Sequence, residues 1–303
     1  MLTQAQIDAY NETGAITVPD VLSAAEVAEL SRVTDEFVRN ARGLTGHTEI
    51  YDLEDSHTPE DPRVRRIKAP HLHHPAYAAL VRHKRILAVL ADLWGPDIRF
   101  DTAKLNMKSA GFGAPVEWHQ DWAFYPHTND DLAAVGVMMD DMEDENGPLL
   151  IVPGSHRGPV FDHHADGVFC GAMDPSRNDV DYRAAVPLMG RAGSITVHHV
   201  RAVHGSAPYT SDRDRRLLLF QYRTADAWPL LGFPAGIAAF DALMACGRPR
   251  EPRLAPVPVR LPLPPAQLQG SLYENQKGMR SRFFDTPVVG APGPARARES
   301  QPA

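Results

Sequence analysis

The 303-residue sequence has little cysteine, no long apolar run and no excess of positive charge. Its two cysteines, Cys170 and Cys246, are too few for a disulfide framework and are typical of a reducing compartment. No run of about 18 apolar residues indicates a transmembrane helix, and the first residues lack the basic and apolar regions of a secretory signal. With 31 Lys and Arg against 38 Asp and Glu, the net charge of -7 argues against nucleic acid or an anionic membrane as a partner. We therefore expect a cytoplasmic protein, monomeric or homodimeric, that acts on a small molecule.

Histidine, in contrast, is abundant, with 14 residues. A metal bound by this chain would therefore have nitrogen and oxygen ligands rather than sulfur. Hydrophobic residues make up 43% and charged residues 23%, which is typical of a globular protein and excludes a disordered chain or a coiled coil.

The pattern predicts helices first and short strands afterwards. Thr3 is placed to cap a helix over residues 4–12, a strand follows at 15–18, and Ser23 with Glu26 forms a capping box for a second helix. A third helix is predicted over 75–93. Strands are predicted at 98–107, 133–139, 149–152, 194–198 and 216–222. This order predicts an α+β fold with a mainly β core, built as a barrel or sandwich.

We expect one domain over residues 1–289. It would comprise a helical part at about 3–95, a β core at about 97–225 and a proline-rich extension at about 247–289. Residues 254–265 read LAPVPVRLPLPP and are predicted to form an extended strap, because proline removes backbone donors and fixes φ. Residues 290–303 are predicted to be a disordered tail.

The first chemical signal is His119-Gln120-Asp121, after a loop that contains Gly111, Gly113 and Pro115. Residues i and i+2 of an extended segment point to one side, so His119 and Asp121 present an imidazole and a carboxylate together. His204 follows a predicted strand further along. Two histidines and one carboxylate form the facial triad of non-haem Fe(II) oxygenases, which leaves positions open for a cosubstrate and O2. On the spacing alone, an ordinary half-buried histidine is the commoner explanation of His119.

Two further signals concern the lining of such a site. Arg215 begins an apolar strand, where a guanidinium suits the far carboxylate of a dicarboxylate; a solvated basic turn is the alternative reading. Along the strand before the HxD motif, Asn106 and Lys108 alternate with apolar residues. If the polar face of that strand points inward, both side chains line the site.

Together these residues resemble the phytanoyl-CoA dioxygenase family of Fe(II)/2-oxoglutarate-dependent oxygenases. The matching segments are WHQD at 118–121, ENGPLLIVPGSH at 145–156 and HGS at 204–206 with the following Arg215. The resemblance covers about residues 3–225, including the amino-terminal helix, strand and capped helix. It implies a double-stranded β-helix, the cupin-like jelly roll, with the amino-terminal helices packed outside.

The resemblance also implies roles for individual residues. His119, Asp121 and His204 would bind Fe(II), and 2-oxoglutarate would chelate the metal beside O2. Arg215, helped by Ser206, would bind the 5-carboxylate of the cosubstrate. Gln120, Asn106 and Lys108 would complete the cosubstrate site. With Asp121 present rather than a small residue, the resemblance favours hydroxylation or desaturation, with release of succinate and CO2, over halogenation.

The sequence departs from the family pattern in two places. Val137 is predicted where several relatives carry a tryptophan beside the cosubstrate. Either Arg66 or Lys68 is available as an upstream cation for the cosubstrate, and the sequence does not choose between them.

Several residues near the motifs have open readings. Trp122, Phe124 and Tyr125 are candidates for an apolar substrate wall or for core packing. Arg201 is a candidate for binding an anionic substrate group, or a surface residue. Other histidines are expected to be structural; His198, on the strand that leads to His204, is the best candidate for an exception.

Two alternatives to a 2-oxoglutarate oxygenase follow from the same residues. A cupin-type metalloenzyme that does not use 2-oxoglutarate would need His198 or His156 as an added ligand. A non-catalytic jelly-roll binding protein would keep the scaffold alone.

Overall fold

The computed structural model describes residues 2–109, 113–208, 211, 213–233, 235–265 and 271–284. The predicted tail at 290–303 and Gly111 of the predicted loop lie outside these residues. The helices are α1 (Gln4–Thr13), α2 (Ala24–Asn40), α3 (Pro75–Leu80), α4 (Lys84–Trp94), α5 (Gly236–Ala242) and α6 (Leu272–Gln276). No helix of the described residues is long and apolar enough to cross a membrane.

The strands confirm a mainly β core. They are β1 (Ala15–Val18), β2 (Tyr51–Leu53), β3 (Val64–Lys68), β4 (Ile98–Lys108), β5 (Val116–His119), β6 (Leu132–Met138), β7 (Leu149–Ile151), β8 (His164–Ala165), β9 (Val168–Phe169), β10 (Val186–Leu188), β11 (Ile195–His199), β12 (His204–Ser206), β13 (Arg215–Thr224) and β14 (Met244–Cys246). Each of the five predicted core strands is present, with boundaries shifted by no more than two residues.

Two antiparallel sheets form the core. The larger has the order β1-β11-β6-β13-β4-β3-β2, with β14 also paired to β4, and the smaller has the order β10-β7-β12-β5. From β4 to β7, and again from β10 to β13, successive strands alternate between the two sheets. This alternation is the jelly-roll arrangement that the resemblance implies.

The amino-terminal segment forms as predicted, except for its third helix. Thr3 caps α1, Gly14 ends it at a φ of +82°, and Ser23 and Glu26 form the capping box of α2. The predicted helix over 75–93 is wrong as a single element, because the chain turns at 81–83 and divides it into α3 and α4. His83 in this turn has a ψ of 120°, and its Nε2 lies 3.1 Å from Oε1 of Glu26 in α2. This contact stabilises the interruption between α3 and α4.

The main apolar core lies between the larger sheet and these helices. Val33 of α2 and Leu90 of α4 pack there with Leu105 of β4 and Val137 of β6, all fully buried. The opposite face of β4 therefore points between the two sheets. The polar side chains of that strand face inward, which decides the alternation that the sequence left open.

Residues 254–265 contain no helix or strand and run as an extended strap over the body, as predicted. Ala255 N–H donates to the Thr128 carbonyl at 2.8 Å, and the indole of Trp122 donates to the Pro258 carbonyl at 2.9 Å. The chain continues to α6, which lies against β5: Gln276 accepts from the Glu117 amide at 3.1 Å.

Candidate metal centre

Two histidines meet across neighbouring strands of the smaller sheet. His119 ends β5, His204 begins β12, and the two are direct partners in the antiparallel register. Their ring centroids are 4.1 Å apart. Strand pairing thus brings together side chains that are 85 residues apart in the sequence.

Asp121 completes a group of three at this point. It begins a short 3-10 turn, Asp121–Ala123, directly after β5. Its Oδ1 lies 3.9 Å from Nε2 of His119 and 3.9 Å from Nε2 of His204. One ligand atom from each of the three buried residues lies within 4.8 Å of the other two, a spacing that one metal ion can bridge.

Hydrogen bonds orient both imidazoles for metal binding. Nδ1 of His119 lies 2.8 Å from the Glu117 carbonyl, and Nδ1 of His204 lies 2.9 Å from the Ala202 carbonyl. A proton on each Nδ1 satisfies these carbonyls and leaves Nε2 as the free lone pair, directed at Asp121. Burial lowers the pKa of His119 to about 4 and that of His204 well below its usual value. Both rings are therefore neutral near pH 7, which is the form that binds a metal.

Asp121 is ionised and held in place. Burial by itself would raise its pKa, but Lys104, followed by His198, outweighs burial and holds this pKa well below the usual value. The amide of Gln221 donates to Asp121 Oδ2 at 3.1 Å and also contacts the hydroxyl of Tyr125. The carboxylate therefore has one oxygen directed at the histidines and the other fixed by Gln221.

His198 lies beside this group, and His156 does not. Nε2 of His198 is 3.8 Å from Asp121 Oδ2, and its ring centroid is 4.6 Å from that of His204. It is nevertheless not one of the three residues whose ligand atoms converge. His156 contacts the Asn11 carbonyl at 3.2 Å and packs against His199 instead.

A narrow cavity of about 40 Å³ extends from the three residues between the sheets. Arg215, Ser206 and Asn106 line it, together with apolar side chains of β13 and α6. Within the described part of the chain, the Ser206 hydroxyl and the Asn106 side-chain oxygen are buried without a hydrogen-bond partner. Arg215 donates to the Gly147 carbonyl at 2.8 Å. Buried polar atoms of this kind fit a polar ligand that hydrogen-bonds to them.

The structure does not bring two predicted cosubstrate residues to this cavity. The Gln120 side chain turns outward, donates to the carbonyls of Pro159 and Arg201 at 3.0 and 2.8 Å, and accepts from the Phe161 amide at 2.9 Å. These three hydrogen bonds hold two loops together. Lys108 lies opposite Arg215 in the register, but its ammonium donates to the Ala207 carbonyl beyond the cavity wall.

Val137 and Arg201 also lie outside this cavity. Val137 points into the helix-covered core, whereas Ala134 of the same strand lines the cavity, so the family's tryptophan position is not at Val137. Arg201 pairs with Asp130 at 2.9 Å. Trp122 is a core residue, 1% exposed.

A second chamber of about 260 Å³ adjoins the first and shares His119, Asp121, Lys104 and Leu272 with it. The other residues that line it include Arg66, Phe124, Tyr125, Gln221 and Asn275. Phe124 and Tyr125 thus form a wall next to the metal group, as one of their two readings predicted. Lys68 is not part of either chamber, because it pairs with Asp52 at 3.2 Å.

Three residues that line the site were not predicted from the sequence. Gln221 carried a signal: it is a polar residue in an apolar run, six positions after Arg215 and thus on the same face of β13. Leu272 and Asn275 carried none, since nothing local shows that α6 returns to the site.

The family model described as phytanoyl-CoA dioxygenase matches residues 10–217. The chain is 37% identical over 280 residues to a probable alpha-ketoglutarate-dependent hypophosphite dioxygenase of Stutzerimonas stutzeri, with 91% of this chain and 97% of the relative covered.

Solved structures agree with this match. The non-heme alpha-ketoglutarate-dependent carbocyclase SnoK from nogalamycin biosynthesis superposes with a TM-score of 0.60 at 26% identity, over 75% of this chain and 86% of its own. EctD from S. alaskensis with bound Fe shares the fold with a TM-score of 0.63 at 23% identity, over 84% of this chain and 87% of its own.

Proposed function

This chain belongs to the phytanoyl-CoA dioxygenase family, and on that premise we propose a role for each residue of its buried site. The protein is a dioxygenase that uses Fe(II), 2-oxoglutarate and O2. A non-haem iron held by two imidazoles and a carboxylate supplies the oxidising chemistry, with open positions for cosubstrate and O2.

His119, Asp121 and His204 are the proposed iron ligands. The observation that carries this assignment is the convergence of their ligand atoms within 4.8 Å, with both Nδ1 atoms satisfied by backbone carbonyls. Gln221 positions Asp121 by its 3.1 Å hydrogen bond. The donor set of two nitrogens and one oxygen, all buried, suits Fe(II) and excludes a sulfur-ligated site.

Arg215 and Ser206 are the proposed partners of the 2-oxoglutarate 5-carboxylate. Ser206 lies two residues after His204 on β12, so both side chains enter the same cavity. Asn106, which lines the same cavity, is the proposed partner of the 1-carboxylate. The apolar side chains between Arg215 and the metal group, Leu217 and Leu219, exclude water around the carbon chain of the cosubstrate.

Hypophosphite is the first substrate to test, because the relative from Stutzerimonas stutzeri is named for it. Oxidation would insert one atom of O2 into a P–H bond and give phosphite. The other oxygen atom enters succinate as 2-oxoglutarate loses CO2, so one 2-oxoglutarate is consumed for each bond oxidised. Hydroxylation of a C–H bond of a small molecule has the same stoichiometry.

The test is succinate release by Fe(II)-loaded protein, measured with and without hypophosphite and with small carboxylic acids and amino acids. Succinate formed in a 1:1 ratio to an oxidised substrate supports the proposal. Metal-dependent conversion that is indifferent to 2-oxoglutarate would instead indicate the cupin-type enzyme, and binding without turnover would indicate a scaffold protein.

The remaining proposals concern the whole chain. Residues up to 289 form one domain, in which the helical part, the β core and the proline-rich extension share one site. The proposed location is the cytoplasm, a reducing compartment that suits the free thiols of Cys170 and Cys246. The proposed assembly is a monomer or homodimer.

A further inference from the structure

Two partly buried cations face the second chamber. Arg66 of β3 lies opposite Asn106 of β4 in the register, and Lys104 is two residues before Asn106 on the same face. The Arg66 and Lys104 side chains are therefore diagonal neighbours on the inner surface of the larger sheet. Lys104 lines both chambers, next to His119 and Asp121.

Neither cation forms an ion pair within the described part of the chain, although burial lowers the pKa of both and this is partly opposed by Asp52 for Arg66 and by Asp121 for Lys104. Among the described residues, no carboxylate oxygen lies within the 4.0 Å of an ion pair from either Arg66 or Lys104. Asp52 is opposite Arg66 in the register, but its carboxylate pairs with Lys68 at 3.2 Å. Nε of Arg66 is buried without a hydrogen-bond partner.

Asp121 is the carboxylate with the largest influence on Lys104. It is also a proposed iron ligand, and its charge is then shared with the metal. Arg66 and Lys104 then line the second chamber without an ion-pair partner among the described residues, an arrangement that favours binding of an anion there.

We propose that Arg66 and Lys104 bind the anionic group of the substrate, and that the substrate is a small oxyanion oxidised at or next to the atom that bears its charge. This inference rests on the proposed function and specifies its substrate class. Lys104 is adjacent to His119 and Asp121, so an anion bound to Lys104 has only its nearest atoms within reach of the metal. A longer molecule held by the same group would present its distant atoms away from the reacting position.

The other walls favour an anion without an ammonium group. Tyr125, Gln221 and Asn275 are neutral donors and acceptors, and Asp121 is the one acidic residue among the described residues that line the chamber. An amino acid placed with its carboxylate on Lys104 has no free carboxylate to receive its ammonium. Hypophosphite, with one negative charge and its P–H bonds on the charged centre, meets the requirement.

Equilibrium binding tests the proposal without turnover. The Fe(II)-loaded protein is saturated with 2-oxoglutarate without O2, and hypophosphite is then added in a calorimeter; L-proline is the comparison ligand. Binding of 2-oxoglutarate in the first step is recorded separately. Failure of that step counts against the proposed function, whereas failure of the second step alone counts against this inference.

The expected result is that the wild type binds hypophosphite and that Lys104→Met and Arg66→Gln each weaken it about 10- to 100-fold. Binding of 2-oxoglutarate should change little. Lys104→Arg and Arg66→Lys should recover part of the affinity, and Lys84→Met, at an exposed cation of α4 that lines neither chamber, should have none of these effects.

Thermal unfolding excludes a merely structural role. Lys104→Met removes a partly buried charge that has no ion-pair partner among the described residues, so its melting temperature should be equal to or above that of the wild type while the anion is no longer bound. The proposal is overturned if both variants bind hypophosphite like the wild type, or if the wild type binds 2-oxoglutarate and L-proline but not hypophosphite.

Discussion

His204 lies directly opposite His119 in the pairing of β12 with β5, with ring centroids 4.1 Å apart. The two strands that carry metal ligands are thus fixed to each other by the backbone of the smaller sheet. Side chains placed in this way require no rearrangement when a metal binds, and preorganisation of this kind favours both affinity and chemistry.

Asp121→Ala should abolish succinate formation, because it removes the only carboxylate of the proposed iron site. Loss of a direct ligand should lower the affinity for Fe(II) by at least the roughly 10- to 100-fold that loss of an outer hydrogen bond causes. Succinate release and iron content are the measurements. Asp61→Asn, at a side chain that is 62% exposed, is the matched control. Full turnover by Asp121→Ala would refute the ligand assignment.

Arg215→Ala should raise the concentration of 2-oxoglutarate needed for half-maximal turnover by about 10- to 100-fold, because a charge-assisted hydrogen-bonded pair is lost. Iron binding should remain. Arg213→Ala removes a guanidinium that is 56% exposed and pairs with Glu143, and it should leave the 2-oxoglutarate requirement as it is. An equal effect of both substitutions would indicate general electrostatics rather than a binding site.

Gly205→Ala should separate the two strands that bear the histidines. A Cβ at this position would lie 2.9 Å from the Val116 carbonyl oxygen and 3.3 Å from the Trp118 ring, and neither has room to move. We expect a loss of about 1–3 kcal/mol of unfolding free energy, together with weaker iron binding. Gly46→Ala is the control, since no atom lies within 4 Å of its added Cβ. Urea unfolding measures both variants, and equal stabilities would contradict the packing described here.

Stability of the metal-free protein should fall as the pH decreases from about 6.5 towards 4. Burial lowers the pKa of His119 to about 4 and that of His163 to about 3. Below the ordinary pKa of 6.5 the unfolded chain therefore binds protons that the folded chain does not, and stability increases with pH across this window. Urea unfolding as a function of pH tests this. A stability independent of pH in this range would show that the buried histidines are not held neutral.

Whether a site residue can be predicted from the sequence depends on how local its signal is. The HxD motif, His204 and Arg215 lie on or beside short strands whose alternation directs their side chains, and all four residues are found together. Gln120 and Lys108 satisfy backbone carbonyls of distant loops, and no local pattern reveals such partners.

Two other differences between the predicted and the observed site have the same origin. The sequence predicts the tryptophan position at Val137, but the cavity is lined by Ala134, which lies on the opposite face of the same strand. A shift of one residue along a strand moves a side chain to the other face of the sheet. The α6 residues Leu272 and Asn275 reach the site only through tertiary contacts, such as the 3.2 Å ion pair between Arg65 and Glu274.

The most direct test of the central claim is an anaerobic titration of the protein with Fe(II) in the presence of 2-oxoglutarate. Direct chelation of an open-site iron by the cosubstrate should give a weak visible charge-transfer band at about 500 nm. We predict that the wild type shows this band and that His119→Ala and His204→Ala each lose it. Absence of the band in the wild type, or its persistence in both variants, would contradict an iron site built from His119, Asp121 and His204.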